Sequence, residues 1–136
     1  MVVSRYDLII KNGEVIDGSG ASRKKADVGI RGDQIEKIGD LTGSQADVFV
    51  DGSNRIVAPG FIDVHTHDDH ALLSTPCMSY KTSQGVTTVV VGNCGISLAP
   101  LRFFGDRPPA PLDLLGDGYN FPRMADFVDH LEANPP

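Results

Sequence analysis

The sequence predicts an α/β protein in two parts: a small β-sandwich segment over residues 1–58, then the opening strand–helix units of a parallel β/α domain over 59–136. Three observations carry this reading. The first part alternates short apolar runs with turn signals. At Pro59-Gly60 the pattern changes to strand, helix, strand. Finally, "GFIDVHTHDDH", Gly60 to His70, sets three of the four histidines directly behind a short apolar run.

In the first part, Leu8 and Ile10 read as alternating apolar positions, and the Asn12-Gly13 pair that follows is the strongest short hairpin signal. "ADVGIRGDQIEKI" repeats the idea, with Val28 and Ile30 outward bound, Gly32-Asp33 turning the chain and Ile35 starting the return. "ADVFVDGSNRIVAPG" predicts a third hairpin, with Val48 and Val50 on one face. Antiparallel strands at this spacing suggest a small sandwich or barrel.

In the second part, "FIDVHTH" predicts an apolar-led strand. Thr75 then predicts an N-cap, Pro76 a first helical position where its missing N–H costs nothing, and Gly85 a left-handed helix end. "VTTVVVG" is a continuous β-branched run, the pattern of a parallel strand buried on both faces. Together these make a βαβ unit. Gly95 to Pro122 is rich in Gly and Pro and long for a structureless loop, and such loops are usually functional or disordered. Met124, Phe127, Val128 and Leu131 then recur with the period of an amphipathic helix, which places His130 on its polar side.

Composition narrows the function. With 40% hydrophobic and 22% charged residues in 136, the chain has ordinary globular make-up. A net charge of −6 argues against a phosphate-binding surface, and the short "RKK" run at Arg23 reads as a solvated turn, so no nucleic-acid partner is expected. No apolar stretch approaches the roughly 18 residues of a spanning helix, so no membrane partner is expected either. Two cysteines, Cys77 and Cys94, are too few for a disulfide framework and fit reduced thiols in the cytoplasm.

The chemistry concentrates at one sheet end. On a strand, residues two apart share a face, so His65 and His67 project together with Asp63 one step deeper. Two imidazoles on rigid backbone make half of a tetrahedral zinc site, and a carboxylate behind them can orient them. An isolated H-x-H would more often be two polar residues at a strand end. Here it sits at the carboxyl end of a parallel strand, where α/β folds place their sites. Cys94, in "VGNCGIS", follows the next strand at the same sheet end and offers a thiolate, a soft and strong zinc ligand. Alone it would be an even choice between ligand and small buried thiol; beside the histidines, ligation is the better reading. Asp68, Asp69 and His70 fall beyond the strand and receive no role.

"YDLIIKNGEVIDGSG", "ADVGIRGDQIEKIGDL", "VAPGFIDVHTHDD" and "SQGVTTVVVGNCGISLAPL" resemble the N-acyl-D-amino-acid deacylase (D-aminoacylase) family of the metal-dependent amidohydrolases. The likeness runs over nearly the whole chain. The H-x-H motif is specific to the superfamily, and "GNCGIS" to the deacylase branch. The resemblance implies a TIM (β/α)₈ barrel beside a small β domain, a Zn²⁺ cofactor, and hydrolysis of N-acyl-D-amino acids, small molecules, to a D-amino acid and a carboxylate. It assigns the metal to His65, His67 and Cys94, with Cys94 anchoring the tighter position and the histidines a weaker neighbouring one. It places a substrate lid or acyl-pocket wall in the loop after Cys94. Two further histidine ligands and the general-base aspartate have no counterpart here, so no catalytic residue is assigned within the chain.

A (β/α)₈ barrel takes about 250 residues, and those from Gly60 onward suffice for two strands, two helices and their loops. The expectation is therefore the N-terminal portion of a longer enzyme, or a truncated product, inactive alone and with the rest of the enzyme as its partner. Two alternatives stay open: a cyclic-amide hydrolase of the dihydroorotase or hydantoinase kind, which would not need Cys94, and a non-catalytic zinc-binding product.

Overall fold

The structure is a computed structural model that describes residues 5–105, 108–115 and 120–136. The chain divides into two compact units, Met1–Pro59 and Gly60–Pro136.

The first unit is a mixed sheet built around β1 (Arg5–Val15), flanked by β2 (Lys24–Arg31) and β4 (Gln45–Asp51), with β3 (Gln34–Gly39) outside β2 and the short β5 (Ile56–Val57) beside the end of β1. The β2–β3 hairpin turns at Gly32-Asp33 as the sequence predicts, with Arg31 opposite Gln34. The Asn12-Gly13 hairpin does not form. Asn12 does take a left-handed φ of 63°, but as a bulge inside the continuous β1, and the pairing with β2 shifts between Ile10 and Gly13. The Asp27 carboxylate accepts the Asn12 N–H at 2.9 Å.

The third hairpin is also corrected. The chain turns around Asn54, but β4 and β5 both pair parallel to β1 instead of with each other. Gly52 makes this possible: its N–H donates to the Lys11 carbonyl at 2.8 Å, and a Cβ there would lie 3.0 Å from that oxygen and 3.2 Å from Gly13 Cα. Tyr6, Ile9 and Leu41 form the core. Ile9 is fully buried, whereas the alternation read from sequence favoured its half-buried neighbours Leu8 and Ile10.

The second unit opens with β6 (Phe61–Asp63), which pairs parallel with β7 (Val86–Val89). Gly60 allows the close approach, since a Cβ there would sit 2.0 Å from Thr87 Oγ1. Between the strands the single predicted helix is replaced by two short ones, α1 (Asp69–Ser74) and α2 (Ser79–Thr82). Pro76 is the reason. The residue before a proline is driven out of the helical region, and Thr75, at φ −141° and ψ 65°, closes α1 instead of opening a helix. β7 is not buried on both faces, because Thr87 and Thr88 are exposed.

The start of the Gly/Pro-rich stretch after Cys94, residues 96–101, contributes to the core. Ile96, Leu98, Ala99 and Leu101 pack with Phe127 of α3 (Met124–Ala133), where the sequence predicts its amphipathic helix. A short 3-10 turn, Leu112–Leu115, adds Leu112 to this cluster, while residues 106–107 and 116–119 of the stretch lie outside the described residues. His130 is half-buried, its ring 5.6 Å from that of Phe121, so it is not a free surface residue. Among the described residues no helix is long and apolar enough to cross a membrane.

Candidate metal centre

β6 ends at Asp63, so His65 and His67 stand on irregular backbone past the strand and not on it, as the two-residue spacing had suggested. Sparse backbone bonds carry the segment forward. The Val90 N–H donates to the Asp63 carbonyl at 2.8 Å, and the Thr66 N–H donates to the Val90 carbonyl at 3.2 Å. Thr66 is buried between the two exposed histidines. Asn93 crosses the gap: its Nδ2 donates to the Val90 carbonyl at 2.8 Å and reaches the Thr66 carbonyl at 3.5 Å.

Cys94 follows in a 3-10 turn, Asn93–Gly95, with a left-handed φ of 57°. That conformation costs a residue bearing a Cβ about 1–2 kcal/mol, and such outliers concentrate at functional sites. Gly92 and Gly95 take the same hand on either side at no steric cost.

The ligand atoms of His65, His67 and Cys94 all lie within 4.8 Å of one another. His65 Nε2 is 3.3 Å from Cys94 Sγ, and the two imidazoles meet edge to face with centroids 5.8 Å apart. A tetrahedral zinc with Zn–N near 2.0 Å and Zn–S near 2.3 Å separates those two donors by about 3.5 Å. The donor types therefore fit zinc, and the His65–Cys94 pair also matches its spacing. Among the described residues no carboxylate joins the cluster.

Asp63 stands beside the site as anticipated but touches it differently. Its Oδ1 accepts the backbone N–H of His65 at 3.3 Å, and its Oδ2 accepts from Lys81 Nζ at 2.7 Å. The Lys81 hydrogen bond, followed by that of the His65 N–H, holds the Asp63 carboxyl below the usual range. The Lys81 ammonium also pairs with Asp68 at 3.0 Å. The Asp63 hydrogen bond, followed by the contact with Asp68, raises the Lys81 pKa, so it stays cationic.

Three contributors escaped the sequence reading. Asp69, left without a role, is fully buried, and its Oδ2 accepts the Leu98 N–H at 3.2 Å, tying the start of α1 to the segment after Cys94. Lys81 was hidden because its partner Asp63 lies 18 residues away, and Asn93 because nothing in "GNCGIS" marks a cross-loop donor. Nothing in the run "HDDH" separates the buried Asp69 from its neighbour Asp68. His70 lies apart from the cluster, its Nδ1 3.3 Å from Ser74 Oγ.

Residues 48–131 match the amidohydrolase family. The chain is 56% identical over 132 residues to a D-aminoacylase of Alcaligenes xylosoxydans xylosoxydans, covering 96% of this chain and 27% of that protein. It is 53% identical over 132 residues to an N-acyl-D-glutamate deacylase of the same organism, covering 97% of this chain and 27% of that protein. A crystal structure of N-acyl-D-glutamate deacylase from Bordetella bronchiseptica, complexed with zinc and a phosphonate inhibitor, superposes with a TM-score of 0.91 at 46% identity, over 98% of this chain and 28% of that one. The chain thus spans about a quarter of the length of the curated relatives it matches.

Proposed function

Since this chain belongs to the amidohydrolase family, we propose that its residues form the first metal-holding segment of a zinc-dependent hydrolase that cleaves the amide of N-acyl-D-amino acids. One observation carries the reading: two imidazoles and a thiol from separate loops converge within 4.8 Å at the end of β6 and β7. The names of the relatives support the substrate class, a small N-acyl-D-amino acid. Residues 1–58 are read as a β-sandwich segment and 59–136 as the start of a TIM barrel. The reading includes a cytoplasmic location, supported by the two free thiols, Cys77 and Cys94.

His65, His67 and Cys94 would hold the ion, which when bound supplies Lewis acidity towards an amide carbonyl. Cys94 must give up its proton to bind, and His65 Nε2, 3.3 Å away, must then present a lone pair and not a proton. The left-handed turn at Asn93–Gly95 aims the thiol at the histidines, and Asn93 keeps that turn in register with Thr66. The thiol beside His65 favours this reading over a cyclic-amide hydrolase. No general base joins the three donors among the described residues, so the 136 residues alone are expected to take up zinc without hydrolysing amides.

The test is a zinc titration of the chain and of Cys94→Ala, with free amine release from N-acetyl-D-amino acids followed in parallel. The expected result is zinc uptake by the parent, its loss in the variant, and no amine from either. Unchanged zinc uptake by Cys94→Ala overturns the metal assignment, and amine release overturns the assignment of catalysis to residues outside this chain.

A further inference from the structure

We propose that Lys81 is the positioning residue of the metal loop, its single ammonium fastening together the two ends of the segment that carries His65 and His67. Asp63 precedes His65 by two residues and Asp68 follows His67 directly. Lys81 Nζ lies 2.7 Å from Asp63 Oδ2 and 3.0 Å from Asp68 Oδ2. The three side chains are 21%, 33% and 18% exposed, so this is a half-shielded junction and not an open surface pair.

The loop has little else to hold it. β6 stops at Asp63, and α1 does not begin until Asp69. Between them Thr66 is bonded through its N–H and its hydroxyl to the Val90 carbonyl and meets Asn93 Nδ2 with its own carbonyl at 3.5 Å, the His65 N–H donates to Asp63 Oδ1 at 3.3 Å, and the Asp68 N–H reaches Thr66 Oγ1 at a long 3.4 Å. Ordering backbone costs conformational entropy, so a loop with few backbone ties samples many arrangements of its two imidazoles. A cation clamping both ends removes that freedom. It also offsets two carboxylates that would otherwise repel one another across the loop mouth.

Lys81 itself is well anchored. Its N–H donates to the Met78 carbonyl at 2.8 Å within the single turn of α2, which starts at the left-handed Met78 and is followed by the left-handed Gly85. Lysine suits the place because its ammonium is a compact point charge with three donors, able to serve two carboxylates at once.

The affinity arm of this inference rests on the zinc reading; the exchange arm does not. In the full chain, Lys81→Met keeps the aliphatic stem and removes the charge. Groups that orient metal ligands from behind are worth about 10- to 100-fold in metal affinity, so zinc binding of Lys81→Met is expected to weaken by that factor, with Lys81→Arg recovering most of it. In metal-free protein, amides of residues 64–68 are expected to exchange at least about tenfold faster in Lys81→Met while α3 stays protected. Exchange at parental rates in 64–68 overturns the proposal. Parental zinc affinity in Lys81→Met also overturns it. A parent that binds no zinc sinks the metal reading alone and leaves exchange to decide the clamp. Should Lys81→Met fail to fold, with α3 protection lost, Asp68→Asn decides: it is expected to loosen 64–68 in the same direction by less, and unchanged exchange there refutes the clamp.

Discussion

The two units of this chain solve the same problem by different means. The sheet around β1 is held by long backbone ladders, with β1 paired on both sides along most of its eleven residues. Its turns are closed locally: Asp17, Asp40 and Asp51 each accept a backbone N–H from the serine or threonine two residues on. The unit from Gly60 onward has strands of three and four residues and relies on side chains that reach across the sequence. Asp69 bonds Leu98, Asn93 bonds the carbonyl of Thr66, Lys81 bonds Asp63, and His65 meets Cys94. Ladders give a scaffold rigidity without committing side chains. Side-chain ties allow an irregular backbone, and irregular backbone is what brings the donors of two separate loops together.

The largest test of this contrast lies in the two cores. Phe127→Ala is expected to cost about 3–5 kcal/mol and Ile9→Ala about 2–5 kcal/mol. Denaturant unfolding combined with amide exchange should show the first loss centred on residues 96–101 and α3, and the second on β1 and its neighbours. If Ile9→Ala left the ladder amides of β1 as protected as before, the packing of that sheet would have been assigned to the wrong residue.

Next comes the buried tie. Asp69→Ala leaves the Leu98 N–H without its acceptor in an apolar setting, a loss of about 1–3 kcal/mol, and Asp69→Asn, which keeps an acceptor oxygen, is expected to lose less. Equal stability of both variants with the parent would show that the cross-tie contributes nothing.

The bulge in β1 offers a smaller probe. Asn12 holds a left-handed φ that a Cβ-bearing residue without a locally bonding side chain adopts only at about 1–2 kcal/mol, so Asn12→Ala is expected to destabilise the sheet and Asn12→Gly to be nearly neutral. A cost for glycine equal to that for alanine would point to the side chain, not the backbone angle, as the reason for asparagine.

The smallest effect is acid sensitivity of the ladder unit's turns. The carboxyls of Asp17, Asp40 and Asp51 are held below their ordinary value, chiefly by the hydroxyls of Ser19, Thr42 and Ser53 and then by the backbone N–H groups of the same residues. A depressed folded pKa stabilises above the unfolded value near 3.9, and that stability is lost as pH falls through the folded value. Carbon-detected titration should find all three midpoints low, and amide protection around the turns at 17–19, 40–42 and 51–53 should fall only below about pH 4. Midpoints at the ordinary value would remove the local-turn half of the comparison.

What the sequence determined by itself was what depends on local pattern and residue chemistry. The Gly32-Asp33 turn, the α3 periodicity and the parallel pair flanking a helical connection follow from spacing and residue type; His65, His67 and Cys94 are singled out in the same way, and the fold brings their side chains together. Tertiary structure decided whatever depends on what lies opposite. Asn12-Gly13 carries a hairpin signal, yet strands on both flanks keep β1 continuous and turn the signal into a bulge. Pro76 can start a helix or end one, and Thr75 settled into the ending. The Gly/Pro-rich stretch read as an open loop because Ile96, Leu98, Ala99 and Leu101, its members of the buried cluster, follow no period; α3 lying against them makes them core. Lys81 and Asp69 were invisible for the same reason. A charge is indistinguishable from its solvated neighbours until the fold supplies its partner, and those partners lie 18 and 29 residues away.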